Sequence, residues 1–180
     1  MESVSAGLAA RAIATLRYQF PYMERRGRRP DTPLTCQAAV RAATATAAAL
    51  LPALPLLAGG KSFGGRMTSQ AQAAAPLPGV RGLVFLGFPL HSPKQPSESR
   101  GEHLSKVHIP MLFLQGERDA YAEPALLQAL IERLGRLATV CRLPDADHSF
   151  RVPVRSLTAP GEIGAKIMAA LASWVDAIIA

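Results

Sequence analysis

A chain of 180 residues has room for one core, and 49% hydrophobic against 18% charged residues excludes a disordered chain. Aromatic residues reach only 6%, too few for a base-stacking nucleic-acid surface. The formal charge of +7 clusters in part at Arg25, Arg26, Arg28 and Arg29, as a solvated loop or a cationic rim would, and no nucleic-acid recognition motif accompanies it.

Cys36 and Cys141 lie far apart and match no CxxC pattern. Neither a disulfide framework nor a cysteine zinc site is expected, and a reducing cytoplasm fits. The first twenty residues lack a basic segment followed by an apolar run, so no targeting segment is expected. The uncharged stretch 42–60 raises the membrane question, but Pro52, Pro55 and Gly59-Gly60 break it into a helix tail and a short strand. No membrane association is expected.

In chain order, apolar spacing predicts a helix over Ser3–Arg11 and a strand over Ala12–Tyr18. Prolines and Gly27 mark Phe20–Pro33 as a loop. An Ala-rich helix follows, opened by Thr35 or Asp31 and running to about Leu50. Leu54–Ala58 reads as a strand buried on both faces, and Gly64–Ala75 as a helix stopping before Pro76. Leu83–Phe88 and Met111–Gln115 are continuous apolar runs of strand length. The polar stretch Pro89–His108 between them reads as a loop or short cap. Leucines and an isoleucine at 126, 127, 130, 131 and 134 give a helix over Glu123–Leu134. Ala138–Leu143 is the last strand, and a helix runs from Pro160-Gly161 through Ile178.

Alternating strands and helices predict an α/β fold: a mostly parallel sheet between helical layers, α/β/α, in a single domain over 1–180.

The chemistry concentrates at Gly60-Lys-Ser-Phe-Gly64, a G-x-S-x-G pentapeptide placed between a strand and a helix. In that setting a serine is thrust out of a tight turn, and glycines two residues to either side relieve the crowding. The helix starting after Ser62 aims its free N–H groups at the hydroxyl, so the Phe63 N–H is the expected oxyanion donor. A phosphate-binding loop would need glycine at position 55, where this chain has Pro55.

A nucleophilic serine needs a base and an acid, each just past a strand end, in the order Ser, Asp or Glu, His. Asp119 and His148 stand at those places. Glu117, Asp145 and Asp147 are rival acids, and His91, His103 and His108 read as ordinary surface residues. Lys61 and Arg66 flank the serine, and Tyr22 and Phe88 fall near strand ends. These four are the candidate substrate-binding residues. Water suffices to complete the chemistry, with no metal or organic cofactor.

The segments Phe20-Pro-Tyr-Met23, Gly59-Gly-Lys-Ser-Phe-Gly-Gly-Arg66, Gly87-Phe-Pro-Leu-His91, Gln115-Gly-Glu-Arg-Asp119 and Asp147-His-Ser-Phe-Arg-Val-Pro153 resemble a dienelactone-hydrolase-like branch of the α/β-hydrolases. That group includes bacterial predicted hydrolases and the eukaryotic testis-expressed-30 and NSL-complex-subunit-3 proteins. The resemblance implies Ser62 as nucleophile, Asp119 as acid and His148 as base, acting on an ester or similar small acyl substrate. Members of the branch usually carry a strand and a His-Gly-Ala-Gly loop ahead of the first helix seen here, and this sequence has no such motif. The expectation is a sheet lacking the first three of eight strands. Either the chain starts further upstream, or it is a short form whose sheet closes differently or is completed by a partner. One lost oxyanion donor is worth ~2.7–4 kcal/mol. An open strand edge leaves room for a homodimer, and a non-catalytic interaction module on the same scaffold is the alternative function.

Overall fold

The computed structural model describes residues 1–179. Four parallel strands form one sheet in the order β1-β2-β3-β4: β1 Leu56–Lys61, β2 Val80–Leu86, β3 Met111–Gly116 and β4 Ala138–Leu143. The central strands pair in register, with Phe85 beside Phe113 and Leu86 beside Leu114. Their side chains alternate between two cores. Leu83, Phe85, Met111 and Phe113 enter one, while Leu86, Leu112 and Leu114 enter the other. Burial on both faces is why these runs are apolar without a polar alternate.

Among the described residues there are six α-helices: α1 Glu2–Ala9, α2 Pro21–Glu24, α3 Pro33–Leu50, α4 Phe63–Ala74, α5 Pro124–Leu134 and α6 Pro160–Ile179. One face carries α3, α4 and α5, through Cys36, Val40, Met67, Ala71, Leu127 and Leu130. The other carries α6, through Ile163, Ile167, Leu171, Trp174 and Val175, with Val4 and Leu8 of α1 packed beside it. All three connections between strands run over the first face, by α4, by the short 3-10 turn Glu102–Lys106, and by α5. Same-side crossovers lay down parallel strands side by side in sequence order.

Three expectations need correcting. No strand forms over Ala12–Tyr18: a turn follows α1, and residues 13–20 run without ladder partners. The reason is where the ends are anchored. Ile13 packs in the α6-side core, whereas Phe20 is buried in the α4-side core, so this run passes from one face to the other. The strand expected over Leu54–Ala58 starts two residues later and runs through both glycines to Lys61, and as an edge strand it is only partly buried. The cap of α3 is Thr32, whose Oγ1 accepts from the Thr35 N–H at 3.3 Å, with Pro33 opening the helix.

Candidate active site

Because the strands are parallel, their C-terminal ends share one rim, and the candidate residues follow three of them. Ser62 stands in the turn between β1 and α4 with φ 49° and ψ −116°, a strained conformation for a residue with a side chain. Its N–H donates to Leu86 O at the end of β2, and its carbonyl accepts the first helical bond from the Arg66 N–H. Ser62 is the N-cap of α4, yet its hydroxyl makes no capping bond. The Oγ lies 2.7 Å from His148 Nε2 instead.

Glycines make this turn possible: a Cβ on Gly60 would lie 3.0 Å from the carbonyl carbon of Gly64 and from the nitrogen of Gly65. A Cβ on Gly65 would lie 2.7 Å from Gly60 O and 3.1 Å from Phe85 Cδ1, whereas one on Gly64 would meet nothing within 4 Å. Gly60 therefore approaches the backbone of both Gly64 and Gly65, and the second position where a side chain is excluded is Gly65, one residue beyond the pentapeptide.

Asp119 follows β3, and its side chain is fully buried. One carboxylate oxygen accepts from His148 Nδ1 at 2.7 Å and from Gln115 Nε2 at 2.5 Å; the other accepts from the Tyr121 N–H at 2.8 Å. Three donors satisfy a carboxylate that burial alone would make costly. His148 follows β4, with its side chain 18% exposed. It is therefore bonded on both ring nitrogens, to Asp119 on one side and Ser62 on the other. The rival acids are engaged elsewhere or exposed. Asp147 closes its own turn on the Ser149 and Arg151 N–H groups, Asp145 accepts from Ser156 Oγ, and Glu117 is exposed.

Of the expected substrate-binding residues, Tyr22, Lys61 and Arg66 are half-buried around the turn. The Tyr22 ring meets Phe63 edge-on at 6.4 Å, Arg66 lies over Phe63, and Lys61 lies over Phe150. Phe88 is a core residue, 1% exposed and packed against Phe85 and Phe113. Two histidines are not the surface residues expected. His91 is buried and accepts from the Glu123 N–H through Nε2, and His103 Nε2 lies 2.7 Å from Ser69 Oγ.

Residue-type reasoning missed Gln115 and Tyr121. Gln115 holds Asp119 with its amide N–H and takes the Phe88 N–H on its carbonyl at 2.8 Å. Its signal was a polar residue ending an otherwise apolar strand. Tyr121, two residues past Asp119, left no such signal.

A family model described as an alpha/beta hydrolase domain matches residues 1–176. Solved structures repeat the fold at low identity. An α/β serine hydrolase without a lid from Xanthomonas campestris aligns with TM-score 0.72 at 22% identity, over 96% of this chain and 72% of that one. An α/β serine hydrolase homologue from Coxiella burnetii gives 0.72 at 15%, over 94% and 73%. The esterase domain of a Rhodothermus marinus protein gives 0.68 at 18%, over 99% and 80%. Among the described residues, no helix is long and apolar enough to cross a membrane. The model match across nearly the whole length and the helix-flanked parallel sheet make this chain a member of the alpha/beta hydrolase family.

Proposed function

We propose that this protein is a serine hydrolase acting on an ester or similar small acyl compound. The observation that carries this reading is His148 bridging Ser62 and Asp119, at 2.7 Å on each side. His148 Nε2 takes the proton as Ser62 Oγ attacks the carbonyl carbon. Asp119 holds the Nδ1–H and stabilises the imidazolium. The Phe63 N–H, in the first turn of α4, donates to the oxyanion that forms. The leaving group departs with the proton from His148, and water, activated by the same imidazole, releases the acyl group. Tyr22, Lys61 and Arg66 line the acyl site, with Phe88 behind them in the core.

The motif set favours the dienelactone-hydrolase-like branch of the family. The free thiols Cys36 and Cys141 suit a reducing cytoplasm. The edge of β1 away from β2 suits pairing with a second copy.

A fluorophosphonate probe tests the reading. Folded protein is expected to be labelled at Ser62, with labelling abolished in Ser62→Ala. Folded wild-type protein that resists the probe would overturn nucleophilic catalysis and favour the interaction-module alternative.

A further inference from the structure

The first turn of α4 carries a cation where the helix dipole favours an anion. Arg66 stands four residues after Ser62, and that turn holds no acidic residue. Its guanidinium lies 5.5 Å from the centroid of the ring of Phe63, the residue whose N–H is the proposed oxyanion donor. Its Nε is buried without a hydrogen-bond partner. Among the described residues, no carboxylate pairs with it.

The surroundings add positive charge rather than removing it. Burial, and then the charge of Arg100, push the Arg66 guanidinium below its ordinary pKa. Arg100 is itself held in place, donating to His91 O at 3.0 Å and Ser92 Oγ at 2.7 Å. His103 is kept neutral, with burial and the Arg66 charge lowering its pKa to about 4. Ser69 Oγ donates to Arg66 O at 2.9 Å and so accepts from His103 Nε2. On the other flank of Ser62, Lys61 Nζ sits 5.1 Å from the Phe150 ring centroid. A half-buried guanidinium with an unmatched N–H is costly unless something else supplies the acceptor. Its place one helical turn from the nucleophile makes a substrate the supplier.

We propose that the site takes esters whose acyl chain ends in an anion, a carboxylate in the first instance, and that Arg66 is the residue that selects it, with Arg100 reinforcing the field. This rests on the hydrolase reading above. The turn of helix between Ser62 and Arg66 rises about 6 Å, a span of several methylenes.

The test compares two esters of equal chain length, mono-4-nitrophenyl adipate and 4-nitrophenyl hexanoate. Wild-type protein is expected to favour the adipate in kcat/KM by roughly 10- to 100-fold, the worth of a charge-assisted hydrogen bond. Arg66→Gln should reduce that ratio to about one, and Arg66→Lys should restore part of it. A parallel measurement needs no turnover and uses wild-type Arg66: Ser62→Ala protein titrated calorimetrically with monomethyl adipate and with methyl hexanoate. It should bind the first more tightly, and added salt should weaken that binding. Hexanoate turnover with no adipate preference, or a preference that survives Arg66→Gln, would overturn the anion site and leave the hydrolase standing. Salt-sensitive adipate binding without turnover of either ester would overturn the hydrolase and leave the anion site.

Discussion

The ring of Tyr121 lies against the imidazole of His148, with centroids 4.4 Å apart and planes 36° from one another. The same residue's N–H holds Asp119, and its carbonyl accepts from the N–H groups of Leu90 and His91. The backbone fixes Asp119 while the ring faces His148. In the proposed mechanism, where His148 takes the proton from Ser62, the aromatic face sits where the imidazolium would form.

Tyr121→Ala is therefore expected to lower ester kcat/KM about 3- to 30-fold, the range of a cation–π contact worth ~0.5–2 kcal/mol. Tyr121→Phe keeps the ring and should stay near wild type. Equal losses in both variants would assign the effect to the hydroxyl rather than to stacking.

Gln115→Met removes two buried bonds at once and leaves the Phe88 N–H unmatched. The expected loss is roughly 2–4 kcal/mol of folding stability, read from urea denaturation. Activity should fall as well, since Asp119 loses a donor at 2.5 Å. A variant as stable as wild type would show that water replaces the amide.

The two glycines after the serine separate cleanly. Gly65→Ala drives a methyl against Gly60 O and should cost about 1–3 kcal/mol and most of the activity. Gly64→Ala places its methyl in open space and should fold normally. Thermal melts and fluorophosphonate labelling of both variants decide the matter, and the reverse order would refute the crowding assigned to the turn.

His103 makes stability depend on acid. Its folded pKa is lowered from 6.5 to about 4, so between those values the unfolded chain binds a proton that the folded chain refuses. Stability from this residue is present above about pH 6.5 and is lost as pH falls towards 4. The loss should be about 1–2 kcal/mol, because the ring is partly exposed and solvent screens it. His103→Gln, which keeps a donor near Ser69, should flatten that portion of the pH–stability curve. An unchanged slope would count against the assignment.

The sequence by itself determined what depends on neighbours along the chain. Leu83–Phe88 and Met111–Gln115 announced strands because both faces of a central parallel strand are buried. Gly60–Gly64 announced the turn because its glycines flank a serine between an apolar run and a helical segment. The order of Ser62, Asp119 and His148 was legible because each follows a strand end, and parallel strands bring those ends to one rim. Tertiary structure decided what depends on distant partners. Residues 12–18 have strand-like composition but no ladder, since Ile13 and Phe20 are claimed by opposite cores. Gly65 joins Gly60 as a position where a side chain is excluded while Gly64 has open space for one, a matter of which backbone comes near in space. Gln115 came to Asp119, Tyr121 to His148 and His103 to Ser69 through contacts reaching four to thirty-four residues along the chain. Local pattern records a residue's own burial, whereas a hydrogen bond or a stacked ring needs the position of its partner, which only the packed fold supplies.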